Sequence, residues 1–312
     1  MRVIRDVVNI KNTEPIVCAL GNFDGLHYGH KCLLEKARDV AIKQGLKFAI
    51  MTFDPHPAIF FKRAKNIRIL PIRDKLDRFK ELSADIVFIQ EFDQKFANLP
   101  AEEFLLTVLL KDLNVQHIVI GHDFIFGKNR SGDAEFLRLM SEKHGFGFSQ
   151  IGPQYSPVHN LIYSSSQIRR AVREGDVKLA KELMGQEFAI SGEVIKGNKI
   201  GGELGYHTAN LDLQDFVQPK FGVYAVKILI NGKYHKAVAN IGVRPTMTDA
   251  KTEMLEIHIF DFKSEIYGEL VTVKFIDFIR HEKKFATSEE LTNQIANDCS
   301  RAQEILAERE EG

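Results

Sequence analysis

The 312-residue sequence has only three cysteines, no excess of charge of either sign and no long apolar run. Each shortage excludes something. Cys18, Cys32 and Cys299 are an odd number, sit in apolar surroundings and have no metal-ligand spacing. They read as reduced thiols, not as a disulfide framework or a zinc site. Lys plus Arg (42) equals Asp plus Glu (42), so no global field draws nucleic acid or an anionic membrane. Any phosphate binding must therefore be local. No stretch approaches the roughly 18 apolar residues of a membrane span. The N-terminal "MRVIRDVVNIKN" is broken by charge too early for a signal-peptide apolar region. There is no internal repeat, no low-complexity segment and no basic stripe with interleaved aromatics. The expectation is a cytoplasmic protein with small-molecule partners and neither a nucleic-acid nor a membrane partner. Nothing in the sequence sets its oligomeric state.

What is present divides into two patterns, and the length favours two domains of the usual 100–200 residues or so. In the first half, the strand-like runs "IVCAL" (16–20), "KFAIMTF" (47–53), "DIVFIQ" (85–90) and "HIVIG" (117–121) alternate with helix-like segments at 30–45, 73–83 and 99–114. Gly45 stands where a left-handed helix end is expected, and Pro100 with Glu102 and Glu103 marks a helix start. Strand–helix alternation predicts an α/β domain with a doubly wound parallel sheet. After about residue 186 come short strand-like runs divided by turn signals such as "NGK", which predict a small antiparallel β-barrel. A helix closes the chain, opened by a capping box of Thr287 with Glu290. The expected boundary lies near "LMGQEF" (183–188), giving domains 1–185 and 186–312.

The first half carries "GNFDGLHYGH" (21–30) directly behind a predicted strand. A strand-to-helix turn of this kind offers free backbone N–H groups and the positive end of a helix dipole to an anion. The carboxyl end of a strand is also where open α/β sheets bind ligands. Glycines at 21, 25 and 29 let a ligand approach the backbone. His27 and His30 add two imidazole donors. A second helix start, "YSSSQIRRAV" (163–172), places Ser164, Ser165 and Ser166 where they cap a helix and bond phosphate oxygens, with Arg169 one turn on.

The first stretch resembles the H-x-G-H signature of the nucleotidylyltransferase superfamily, which attacks the α-phosphate of a nucleotide and expels pyrophosphate. With "TFDPHP" (52–57), "GHDFIFGKNRSGD" (121–133) and "SSSQIRRAVREGDVKLAKELMG" (164–185), the chain resembles the prokaryotic bifunctional riboflavin kinase/FMN adenylyltransferase family over nearly its whole length. The resemblance implies a nucleotidylyltransferase-like Rossmann domain that transfers AMP from ATP to FMN. It places His27, His30 and Arg169 in catalysis, on charge developing in the transition state. It implies ligand-binding roles for Gly21, Phe23, Asp24, Gly29, Asp54, Asp123, Ser165 and Ser166, with Asp123 near the flavin phosphate.

The resemblance continues in the second half. "GNKIGGELGYHTANL" (197–211) is similar to the family's kinase loop, which implies a riboflavin-phosphorylating barrel. Gly197 and Gly201 would shape the loop over phosphates, and Thr208 and Asn210 would supply hard oxygen ligands for Mg²⁺. "MLEIHIFDF" (254–262) is similar to the strand bearing the general base, which implies Glu256, although Glu256 also fits the polar face of an edge strand. "NIGVRPT" (240–246) matches the family too, and Arg280 would support the flavin end of the pocket. Two positions depart from the pattern: Gly202 replaces an arginine and His207 a proline. A looser loop predicts a working kinase with weakened affinity. The alternative is an adenylyltransferase whose barrel only binds flavin. Riboflavin and FMN are the expected substrates, ATP the co-substrate and Mg²⁺ the cofactor.

Overall fold

A computed structural model describes residues 1–5, 7, 10, 14–62, 66–195, 208–213, 215–245, 251–262 and 264–308. The chain divides into two compact units, Met1–Lys65 with Ile72–Ser165 and Asn66–Pro71 with Ser166–Gly312.

In the first unit six strands, β1 (Arg2–Arg5), β2 (Ile16–Leu20), β3 (Lys47–Asp54), β4 (Ile86–Glu91), β5 (Val115–Gly121) and β6 (Gly147–Ile151), form one sheet. Its order is β1-β4-β3-β2-β5-β6, with every pairing parallel. The helices are α1 (Tyr28–Gln44), α2 (Pro57–Phe60), α3 (Ile72–Glu81), α4 (Gln94–Ala97), α5 (Ala101–Glu103) and α6 (Ala134–His144). Beyond α5 the chain continues in wider π-helical turns through Phe104–Asp112. Along β2, Ile16, Cys18 and Leu20 join one apolar cluster, while Val17 and Ala19 join another with Leu33, Leu34, Ala37 and Ala41 of α1. Each face of the sheet is therefore covered, which is why its central strands are unbroken apolar runs. Gly45 ends α1 at φ 67°, as its position predicts. Among the cysteines, only Cys18 is fully buried. Burial pushes its thiol far up, while Cys299 is pushed up to about 11 by burial and the neighbouring Asp298.

The edge strands β1 and β6 and helix α6 lie outside the elements the sequence predicts. At one edge, His117 of β5 pairs with Gly147 of β6. The His117 ring, 2.9 Å from the Ser149 hydroxyl, occupies the space a side chain at 147 would need. Burial, with Lys36 adding repulsion, holds this imidazole below the usual histidine range. Gly147→Ala should therefore destabilise the first unit by about 1–3 kcal/mol, read as a lower denaturation midpoint at unchanged slope.

In the second unit, β7 (Ala189–Glu193), β8 (Thr208–Asp212), β9 (Gly222–Ile230), β10 (Lys233–Pro245), β11 (Lys251–Ile259) and β12 (Leu270–Arg280) form an antiparallel sheet ordered β7-β12-β9-β10-β11-β8. A bridge between Ile195 and Asn210 joins its two ends and closes the barrel. The "NGK" signal is a two-residue hairpin loop, Asn231 and Gly232, both at positive φ (47° and 81°), as a type I′ turn requires. Helices α7 (Ser165–Glu174) and α8 (Val177–Met184) precede the barrel, and α9 (Ser288–Glu308) follows it. Lys178 of α8 pairs with Asp277 of β12 at 2.7 Å, and the backbone N–H of Lys220 donates to Val172 of α7. These contacts explain why the compact division falls at the first residue of α7, whereas the composition changes after α8. The Glu290 N–H donates to the Thr287 hydroxyl at 3.1 Å, and Glu290 accepts in return from the Ala286 N–H, so the capping box forms one residue wider than the pattern suggests. Ala302, Ile305 and Leu306 of α9 pack on Val223, Ala225, Val238 and Ile276 of the barrel wall.

Candidate active sites

In the first unit, the carboxyl ends of the adjacent strands β3, β2 and β5 deliver three of the expected segments to one sheet edge. Asp54 ends β3, the 21–27 turn follows β2, and Asp123 lies two residues past β5, its carboxylate against Gly121. The turn is built under constraint. Phe23 and Leu26 adopt left-handed backbone angles, φ 48° and 41°. A Cβ at Gly21 would meet the Phe23 ring, so glycine there lets that ring tuck in, fully buried. Its edge then meets His30, at 5.4 Å between centroids.

His27 is the N-cap of α1, and its Nδ1 accepts from the His30 N–H at 3.3 Å. An accepting Nδ1 places the proton of a neutral His27 on Nε2, as a donor. The two imidazoles stack at 3.6 Å. A Cβ at Gly29 would press on the His27 ring, so that glycine preserves the pair. The first turn of α1 carries no acidic residue, so nothing there opposes an anion.

Three side chains fix the turn's backbone. Ser165 Oγ donates to the Asp24 carbonyl at 2.7 Å. The Asn22 carbonyl accepts from Thr52 Oγ1 at 3.1 Å and from Lys75 Nζ at 3.0 Å. Thr52 and Lys75 are both buried, and neither was singled out by sequence. The sequence marks "RDKLDRF" only as part of a helix-like segment; the fold turns Lys75 inward. Ser166 and Arg169 lie on α7 in the second unit, where Arg169 Nε donates to the Ile67 carbonyl at 2.7 Å.

In the second unit a row of residues crosses the barrel wall by strand register. Asn210 (β8) faces Glu256 (β11), which faces Asn240 (β10), then Val223 (β9), then Arg280 (β12). Thr208 faces His258, next along the same pair of strands. Strand β11 lies between β10 and β8 and is not an edge strand. Its Leu255, Ile257 and Ile259 are buried, so Glu256 points to the opposite face. Val223 on that face packs under α9. Asn210 is 1% exposed, and its Oδ1 has no hydrogen-bond partner among the described residues. A buried carbonyl oxygen beside a carboxylate is a donor set suited to a hard cation. Asn240 was not picked out as a site residue. Its signal is the cross-strand pairing with Glu256, which no local pattern reveals. Gly197, Gly201, Gly202 and His207 lie outside the described residues.

Arg280 pairs with the closing helix. Its Nε and Nη2 donate to the two oxygens of Asp298 at 2.8 and 2.6 Å, and Nη1 donates to the His281 carbonyl. Gln294 also donates to Asp298, so the pair fastens α9 to β12. Asp298→Ala removes one partner of a pair whose side chains are 20% and 6% exposed. It should cost about 3 kcal/mol of barrel stability, seen as a lower midpoint in denaturant, with Asp298→Asn losing less.

The comparisons cover both halves of the chain. The family model for FAD synthetase covers residues 9–166, and that for riboflavin kinase covers 184–306. The chain belongs to the bifunctional riboflavin kinase/FMN adenylyltransferase family. Curated bifunctional riboflavin kinase/FMN adenylyltransferases of Escherichia coli (strain K12) and Buchnera aphidicola are each 37% identical to it, over 98% and 96% of both chains respectively. That of Bacillus subtilis is 37% identical over 92% of this chain and 91% of its own. A crystal structure described as a macrolide-efflux protein from Streptococcus pneumoniae shares the fold, with a TM-score of 0.83, 31% identity and coverage of 97% of this chain and 99% of that one. Among the described residues no helix is long and apolar enough to cross a membrane.

Proposed function

We propose that the chain phosphorylates riboflavin to FMN with one ATP and adenylylates FMN to FAD with a second. Adenylylation is assigned to residues 1–185 and phosphorylation to 186–312. The observation that carries this reading is that family matches to the two activities cover residues 9–166 and 184–306, one in each half of the chain.

In adenylyl transfer, an FMN phosphate oxygen attacks the α-phosphorus of ATP and pyrophosphate leaves. The capped N-terminus of α1 and its two imidazoles stabilise charge on the phosphates as the bond changes. Ser165 and Ser166 bond phosphate oxygens, and Arg169 takes the pyrophosphate. Asp54 and Asp123 line the nucleotide and flavin sides. Positioning and electrostatics carry this step, so it needs no covalent intermediate.

In phosphorylation, Glu256 takes the proton of the riboflavin 5′-hydroxyl as its oxygen attacks the γ-phosphorus, and ADP leaves. Thr208 and Asn210 would hold Mg²⁺, which when bound would offset the charge of the ATP phosphates. No group of three or more His, Cys, Asp or Glu side chains with metal-holding geometry occurs among the described residues. Arg280 acts through Asp298, by holding α9 over the wall that carries Glu256.

The test is direct. Purified protein given riboflavin, ATP and Mg²⁺ should yield FMN first and FAD second by chromatography. FAD from supplied FMN, with no FMN from riboflavin, would favour an adenylyltransferase with a flavin-binding barrel.

A further inference from the structure

Residues 66–71 come from the first half of the sequence yet belong to the second compact unit. Ile67, Ile69 and Leu70 are buried there. The Arg68 N–H donates to the Asp215 carbonyl at 2.9 Å, and the Val217 N–H donates to the Arg68 carbonyl at 2.7 Å, a parallel bridge centred on Phe216. The side chains repeat the pairing. Arg68 Nε and Nη2 converge on Asp215 Oδ2 at 3.0 and 2.8 Å, with the side chains only 24% and 30% exposed. The guanidinium also lies over the Phe216 ring, 6.0 Å from its centroid.

The carbonyl that receives Arg169 Nε is that of Ile67. The Ile67 C=O and the Arg68 N–H are the two polar edges of one planar peptide group. Holding its N–H on the Asp215 carbonyl therefore fixes the direction of its C=O, and with it the guanidinium of Arg169, while the Arg68–Asp215 side-chain pair clamps that backbone bridge in place. We infer that Arg68 and Asp215 are positioning residues for adenylyl transfer, holding Arg169 through the peptide between Ile67 and Arg68. The inference rests on the reading of Arg169 as the pyrophosphate-binding arginine. It goes beyond that reading by making a pair distant in sequence, and not itself in contact with substrate, set the arginine's aim.

The experiment uses the full chain and measures both activities in each preparation. Arg68→Ala and Asp215→Ala should lower FAD formation from FMN, or raise the KM for pyrophosphate in the reverse reaction, by about ten- to a hundredfold. FMN formation from riboflavin should stay within about twofold, which reports an intact barrel. Adding Asp215→Ala to Arg169→Ala should cost nothing further, because the arginine it aims is gone. Exchanging the charges, Arg68→Asp with Asp215→Arg, should recover part of the loss. If Asp215→Ala loses both activities, Asp215→Asn, which keeps the side chain's shape, is judged by the same two rates. If Arg169→Ala itself leaves FAD formation unchanged, the reading of Arg169 fails and the inference with it. If Arg169→Ala is crippled while both Arg68→Ala and Asp215→Ala keep parental FAD formation and pyrophosphate KM, the inference alone is overturned. A further loss from Asp215→Ala in the Arg169→Ala background also overturns it, since the effect then does not pass through Arg169.

Discussion

Replacing His30 with alanine should slow FAD formation from FMN by about 10²–10³-fold and leave riboflavin phosphorylation at the parental rate. The magnitude is that of removing one preorganised donor to transition-state charge in a site where nothing must reorganise. His30 is the cleaner of the two histidines to remove. His27 caps α1 through Nδ1, so His27→Ala also costs the helix its cap, typically about 1 kcal/mol. His30 is held through its ring, stacked on His27 and met edge-on by Phe23, so its loss leaves the cap in place. The rates are measured separately, with FMN and with riboflavin as the starting flavin. FAD formation within about threefold of the parent would remove this turn from the reaction.

The second large effect is at Glu256. Glu256→Gln keeps the side chain's size and place between Asn210 and Asn240 but cannot accept the hydroxyl proton. FMN formation should fall by about 10²–10⁴-fold, the range for a general base, with the KM for riboflavin little changed. FAD formation from supplied FMN should not change. A variant that phosphorylates riboflavin at the parental rate would return Glu256 to an ordinary outward-facing residue of β11.

The two sites were unequally legible in the sequence, for a physical reason. The first is local. "GNFDGLHYGH" holds strand end, turn, cap and both imidazoles within ten residues, so spacing alone points to an anion site. The second is assembled by register across β8, β11 and β10, and register is a property of pairing that no single stretch displays. Glu256 and Asn210 were reached only through the family resemblance, and Asn240 not at all. Edge strands were also lost. β1 reads "RVIR" and β6 "GFSQI", because a strand covered on one side needs no continuous apolar run. The third kind of miss is a partner supplied from far away, such as Lys75 for the Asn22 carbonyl, Asp298 for Arg280 and Ile67 for Arg169. In each case one partner was visible as a charged or polar residue, and the fold alone determined where its charge went.

The central claim is that one chain performs two chemically different transfers from ATP, and isotopic labelling reads both at once. Protein is given riboflavin, Mg²⁺ and ATP labelled at either the γ- or the α-phosphorus, and the flavins are separated. The account predicts γ-label in FMN and in FAD, and α-label in FAD alone. His30→Ala should still place γ-label in FMN while FAD of either label falls away. Absence of γ-label from every flavin would contradict the kinase, and absence of α-label from FAD would contradict the adenylyltransferase.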